Sequence, residues 1–362
     1  MTTLPTTAQP ERLHYHASMV ALNATKPADD DGWAIDDPVT QLRRRGTDQT
    51  FELPQGEGPL VIGSADDCDL VLHDPTGCVS RHHARLVRER TAWILHDRGS
   101  TNGIRQDGER RQSIELTPSI EIEIGGVRLI PESARLRELR AYLCRVVGWG
   151  HDRLDDVDQA IQAIRTMATR RATLILCGAG ELGRVAERLH HIALGPDRPF
   201  IACGRDDTAG VNPANCGTFC FVDDKLPDDF HEIAARLTAP NAKARLVVCS
   251  PGREDATEAM AQLARCAVLE LPDLETRSGE IDRLILAYAE DAVIALGAPS
   301  HGFREHELVW LRQLPLASLH EVEELTFRLV ALRNWNGRGG AQRLGISHVA
   351  LSRWARRRRI PT

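Results

Sequence analysis

Two textures meet in this chain near residue 133, and one ordinary core cannot hold both. From 49 to 131 short β-type runs alternate with turn residues: "TFELP", "PLVIG", "DLVL", "HARLVRE", "TAWILHD" and "IEIEIGGVRLI". Runs of that length and spacing predict a β-sandwich. From 135 onward Leu and Ala recur at i, i+3 and i+4, and the runs "ATLILC", "TFCFV" and "ARLVVC" lie between the helical stretches. Uninterrupted apolar runs suit parallel strands buried on both faces, which makes this part α/β. From about 276 only helical texture remains. With 362 residues the reading is multidomain. It comprises a flexible arm at 1–38, a β-sandwich at 39–133, an α/β parallel-sheet core at 138–275, a helical lid at 276–318 and a small all-α unit at 319–362.

Composition narrows the class. The chain is 42% hydrophobic and 27% charged, and no apolar run approaches the ~18 residues of a membrane span. Its first residues lack the basic and apolar regions of a secretion signal. Nine cysteines stand without a CxxC pair, as in reduced thiols, so the expected location is cytoplasmic, with no membrane partner. The net charge of −6 is unevenly spread: "DDDGWAIDD" near the start is acidic and "RWARRRRIPT" at the end is basic.

Within the sandwich, "IGSADDCDLVLHDPTGCVSRHHARL" and "WILHDRGSTNGI" carry Gly63, Ser80-Arg81-x-His83 and Thr101-Asn102-Gly103 in order. The stretch resembles a forkhead-associated (FHA) domain over about 85 residues. The resemblance implies a phosphothreonine site in the loops at one end, with Ser64, Ser80, Arg81, Thr101 and Asn102 as its residues. Ser80 offers a hydroxyl, Arg81 a charged fork, and Thr101 and Asn102 polar groups. His83 is expected to brace the loop from inside. The family usually carries arginine directly after the first glycine, where this chain has Ser64.

The stretch "LCGAGELGRVAE" at 176–187 reads two ways. Gly178-x-Gly180-x-x-Gly183 satisfies a dinucleotide fingerprint, for which Asp206 would be the ribose acid. Gly178-x-x-x-x-Gly183-Arg184 also fits a Walker A loop, with Arg184 for lysine and Val185 for the magnesium-binding hydroxyl. The residues downstream favour the second pattern. "CGTFCFVDDKLP" is an apolar strand ending in Asp223-Asp224, and "ARLVVCSP", "LPDLETRSGEID" and "LPLASLHEVEEL" come after it. From about 138 to the end this order resembles the AAA+ core and Fis-type end of sigma-54-dependent transcriptional regulators. The resemblance implies a degenerate nucleotide site of Gly178, Gly183, Arg184, Asp223, Asp224 and Arg277, with Arg277 as the arginine finger and His320 at the sensor II position. Only "DDTAGVNPAN" separates "PFIACGR" from "CGTF", so the loop that touches the sigma factor is missing. A pseudo-ATPase is therefore expected, with no catalytic residue and no cofactor, weak ATP or ADP binding being left open.

The C-terminal stretch "RNWNGRGGAQRLGISHVALSRWARRRRIPT" resembles that family's helix-turn-helix. Ala341 is small enough for a helix crossing, Gly345 makes the turn, Ser347 caps the second helix, and Leu351 faces inward. The residues expected at DNA are Arg338, Ser347, His348, Ser352, Arg353, Arg356 and Arg357, and "HEVEELTFRLVALRNW" is the candidate pairing helix of a homodimer or higher homo-oligomer. The combined expectation is a regulator that couples recognition of a phosphothreonine protein or Ser/Thr kinase to binding of double-stranded DNA. An active sigma-54 ATPase and a DNA-bound scaffold for phosphorylated partners are the alternatives.

Overall fold

The computed structural model describes residues 37–360, apart from 55, 57, 107, 119, 151–152, 170–171, 206–211, 213, 215, 223–224 and 359. Its first unit is a two-sheet sandwich. One sheet is ordered β2-β1-β11-β10-β7-β8 and contains β1 (Val39–Arg44), β2 (Thr50–Glu52), β7 (Ile104–Gln106), β8 (Glu109–Arg111), β10 (Ile122–Ile124) and β11 (Val127–Ser133). The other is ordered β4-β3-β5-β6-β9 and contains β3 (Leu60–Gly63), β4 (Leu70–Val71), β5 (Ala84–Glu89), β6 (Ala92–Asp97) and β9 (Ser113–Leu116). Side chains alternate across each strand. In β5, Ala84 and Leu86 are fully buried while Arg85 between them is exposed. The inward positions of both sheets, among them Leu42, Ile62, Leu86, Leu95, Ile104 and Ile122, form one core.

β11 runs directly into α1 (Ala134–Val147), and the Ser133 hydroxyl accepts from the Leu136 N–H at 3.1 Å to cap that helix. α1 and α2 (Leu154–Ala168) open the second unit. Its five parallel strands are ordered β13-β14-β15-β12-β16: β12 (Thr173–Gly178), β13 (Phe200–Cys203), β14 (Thr218–Phe221), β15 (Arg245–Ser250) and β16 (Cys266–Leu271). Leu174 and Leu176 of β12 face α1, α2 and α3 (Leu182–Leu194). Ile175 and Cys177 face α4 (Phe230–Leu237) and α5 (Arg253–Ala261) on the other side. Helices on both faces explain why these strands read as continuous apolar runs.

A short 3-10 stretch, Leu274–Glu280, leads into α6 (Ile281–Leu296), α7 (Glu305–Arg312) and α8 (Leu319–Asn334). Arg277 in that 3-10 stretch corrects an expectation. It is 5% exposed, donates to both the Glu280 carboxylate (2.8 Å) and the Val146 carbonyl at the end of α1 (3.1 Å), and therefore ties two elements together. A finger reaching a neighbouring subunit's phosphate needs a free, exposed guanidinium, and Arg277 is neither.

α8 corrects another. Its apolar positions Val322, Leu325 and Leu329 pack with Leu284, Ile285 and Tyr288 of α6, and Val330 and Ala331 pack with Ala289 and Ala292. The face expected to pair with a second copy is therefore covered within the chain. α9 (Gly337–Arg343) and α10 (His348–Arg357) complete the helical block, with Trp354 held under the Arg328 guanidinium of α8 at 5.1 Å. Among the described residues no helix is long and apolar enough to cross a membrane.

Candidate functional site: the loop end of the sandwich

Three loops converge at one end of the sandwich, and the sequence dictates how closely. A Cβ placed on Gly63 would run into the Arg81 carbonyl, so only glycine lets the 63–65 and 79–81 segments touch. Ser64 N–H donates to the Ser80 carbonyl and Ala65 N–H to the Arg81 carbonyl, both at 3.1 Å. The Ser64 hydroxyl donates to the Val79 carbonyl at 3.0 Å.

His83 fastens the third loop from beneath. It is fully buried, and its Nδ1 accepts from the Ser80 N–H at 3.0 Å. That fixes the proton on Nε2, which donates to the Gly103 carbonyl at 3.0 Å. Above it, the Thr101 N–H donates to the Ser80 hydroxyl at 3.3 Å and the Asn102 amide to the Cys78 carbonyl at 2.8 Å. The five expected residues Ser64, Ser80, Arg81, Thr101 and Asn102 thus lie on one linked set of loops. Ser80 is half-buried and the other four are exposed. The Arg81 guanidinium makes no hydrogen bond or ion pair to any described residue, while its carbonyl is fixed twice, by Ala65 N–H and by the Cys68 thiol.

Two contributors were not foreseen. Asp74 accepts from the N–H groups of Thr76, Cys78 and Val79 and from the Thr76 hydroxyl, bracing the segment that ends at Ser80. "DPTG" is an Asx-turn signature and could have revealed it. Arg110 lies over Gly103 and donates to the Ser100 carbonyl at 3.3 Å. No local signal marks Arg110, because it arrives from the edge strand β8.

The Asp74 bonds hold its carboxyl below the usual carboxylate range, the Thr76 hydroxyl contributing most. A carboxyl with a lowered folded pKa stabilises its loop above the ordinary value near 3.8 and loses that contribution as pH falls through the lowered one. The protection factors of the Cys78 and Val79 amides, taken relative to their intrinsic exchange rates at each pH, are therefore expected to fall on acidification, and in Asp74→Ala to be low throughout. Equal protection in the variant at neutral pH would contradict the bracing role.

The second expected site is differently built. Gly178 ends β12 and Gly183 lies in the first turn of α3. A Cβ on Gly178 would sit 2.5 Å from the Leu271 carbonyl, and one on Gly183 3.0 Å from Val222. Packing within the chain thus already demands glycine at 178, where the contact is with backbone, and favours it at 183. Of the amides a phosphate would use, Leu182 N–H donates to the Gly180 carbonyl and Arg184 N–H to the Glu181 carbonyl, each at 3.0 Å. The Arg184 side chain is also engaged, with Glu181 at 2.5 Å and His320 Nδ1 at 3.0 Å. Asp206, Asp223 and Asp224 lie outside the described residues.

At the chain's end, Asn336 caps α9, Gly345 takes φ +67° in the turn, and the Ser347 hydroxyl accepts from the Ala350 N–H at 3.1 Å to cap α10. Leu351 is fully buried. His348, Arg353, Arg356 and Arg357 are exposed, as are Arg338 and Ser347, and Ser352 is half-buried. Val349, 62% exposed at the start of α10, was not foreseen among them.

The family described as the cytoplasmic domain of an inner membrane component of T3SS matches residues 44–133, well under half of the chain. The FHA domain-containing protein FhaB of Mycolicibacterium smegmatis is 39% identical over 87 residues, 24% of this chain and 49% of that protein. Its namesake in Mycobacterium tuberculosis is 39% identical over 69 residues, 19% of this chain and 40% of that protein. The sandwich is an FHA domain. The chain spans only about half the length, or less, of these relatives. Solved structures that resemble it include an FHA domain from a study of phosphothreonine-dependent interactions, at 28% identity and TM-score 0.24, covering 26% of this chain and 94% of that one. Mycobacterium tuberculosis EmbR in complex with a low-affinity phosphopeptide is another, at 29% identity and TM-score 0.24, covering 26% of this chain and 24% of that one.

Proposed function

We propose that this protein is a DNA-binding regulator. Its FHA domain takes a phosphothreonine segment of a partner protein or kinase, and its C-terminal helices bind duplex DNA. The observation that carries the first half is the exposed, unpaired Arg81 guanidinium on the same linked loops as Ser80, Thr101 and Asn102. A phosphate needs such a cation beside hydroxyl and amide donors.

Between the two ends lies a core read as a non-hydrolysing AAA+ scaffold. Its strand order supports that reading over a dinucleotide fold, in which the first two strands are neighbours. Here β14 and β15 stand between β12 and β13. The engagement of Arg184 by Glu181 and His320, and the spent amides of Leu182 and Arg184, support the absence of turnover. ATP hydrolysis by the purified protein is expected to equal a buffer blank with and without DNA. Turnover that disappears in Arg184→Ala would overturn the scaffold reading.

The DNA half is supported by a capped two-helix turn whose second helix exposes Arg353, Arg356 and Arg357. Removing one phosphate-pairing cation should lower the salt slope by roughly 0.9. Neutralising Arg356 and Arg357 together is expected to lower it by about two across all sequences. Arg353→Ala should instead cost about 1–3 kcal/mol on a preferred site, where its guanidinium would pair with a guanine edge. The titration uses the full chain, because α8 packs on α6. No binding to random or enriched duplexes at low salt would end the DNA assignment.

A further inference from the structure

The turn after Ser64 and the segment after Arg81 bring three metal-ligating side chains together on the FHA domain. The ligand atoms of Asp67, Cys68 and His82 all lie within 4.8 Å of one another. The backbone beneath them is already fixed. Cys68 N–H donates to the Ala65 carbonyl, closing the turn, while Ala65 N–H and the Cys68 thiol both donate to the Arg81 carbonyl, each at 3.1 Å. His82 is the next residue, and its Nε2 stands 3.0 Å from Asp67 Oδ1. Cys68 is 8% exposed, whereas the His82 and Asp67 side chains are 40% and 71% exposed. The cluster therefore has a buried sulfur at its floor and an open side toward solvent.

From this arrangement we propose that Asp67, Cys68 and His82 form a zinc site. Thiolate, imidazole and a single carboxylate make a borderline-soft set that suits zinc, whereas magnesium and calcium require oxygen ligands throughout. Tetrahedral zinc holds its ligands roughly 3.3–3.8 Å apart, so closure asks about 1 Å of side-chain movement. The exposed Asp67 and His82 can supply that without moving the turn. Three protein ligands leave the fourth position to water on the open side. On binding, the Cys68 thiol gives its proton to solvent and its sulfur bonds the metal, and His82 exchanges its Asp67 hydrogen bond for coordination through Nε2. The Arg81 carbonyl keeps its Ala65 donor throughout. Neighbouring Asp69 is not part of the set, because its carboxylate accepts from the Val61 N–H at 2.7 Å.

Zinc binding to the full chain, read with a chromogenic competitor, tests the site against His82→Ala and Cys68→Ala. His82 lies on the surface, so His82→Ala reports even where Cys68→Ala fails to fold. Wild-type protein is expected to bind one zinc more than His82→Ala, or to bind it at least tenfold more tightly. Cobalt put in place of zinc should give a thiolate charge-transfer band that Cys68→Ala lacks. The affinity should also rise with pH, since a proton is released. Equal zinc binding by wild type and His82→Ala, or a cobalt spectrum without a thiolate band, would overturn the site. Neither result depends on whether the neighbouring loops bind a phosphopeptide.

Discussion

Arg81→Ala is expected to weaken binding of a phosphothreonine peptide by roughly ten- to a hundredfold, the loss of one charge-assisted bond worth about 1.5–3 kcal/mol. The effect should be confined to binding. The Arg81 side chain holds no other described residue, and the loop is fixed through its carbonyl, which alanine retains. Ser64→Arg is the converse change. Ser64 is exposed and its N–H is bonded to the Ser80 carbonyl, so a longer side chain can extend over the site without displacing the backbone. The hydroxyl bond to Val79 is lost, at a cost of about 1 kcal/mol in stability that the free and bound states share. A second guanidinium beside the phosphate should therefore tighten binding about tenfold, the gain of one charge-assisted bond of roughly 1.5 kcal/mol. Calorimetry with paired phosphorylated and unphosphorylated peptides reads both variants. Equal affinity for the two peptides, or no change in Arg81→Ala, would mean that the loops do not read phosphate.

Those loops were legible because Gly63, Ser80, His83 and Asn102 stand in short motifs that resemble a known family's. The contacts they make nonetheless reach far along the chain: Gly63 meets Arg81, His83 bonds Gly103 and Asn102 bonds Cys78. The parallel strands were also legible, since burial on both faces leaves continuous apolar runs that are too short for helices. β1 was not. "VTQLRR" reads as a polar segment before the first β-type run, yet Gln41 is 4% exposed and Arg43 fully buried. Their partners lie far along the chain, beyond the reach of any local pattern. Arg277 failed for the same reason. A basic residue in an expected motif position looks identical in sequence whether it points to solvent or to the end of α1. The glycines of 178–183 show the limit of a spacing signal. The same pattern arises where Leu271 and Val222, both within the chain, need the room.

The network around Arg43 carries the largest stability effect expected in this molecule. Arg43 on β1 bonds Glu132 on β11 at 2.6 Å and also pairs with Asp158 on α2, while the Gln41 amide donates to Glu132 at 2.6 Å. Burial would lower the Arg43 pKa, but the two carboxylates outweigh it and hold the guanidinium above its ordinary value. One cation thus compensates two buried anions that belong to different structural units, the sandwich and the helical layer of the parallel sheet. Arg43→Met leaves Glu132 and Asp158, 1% and 6% exposed, without a countercharge. Breaking a buried pair from one side costs about 3–5 kcal/mol. Amide exchange along β1, β11 and α2 is therefore expected to speed up by two to three orders of magnitude or more, roughly that cost in rate terms. Adding Glu132→Gln and Asp158→Asn to the variant removes the orphaned charges and keeps an acceptor for Gln41, so most of the loss should be recovered. If Arg43→Met alone leaves protection unchanged, the ion network does not join the two units. If the triple variant is no better than the single one, the cost lies in the lost packing of the arginine stem rather than in buried charge.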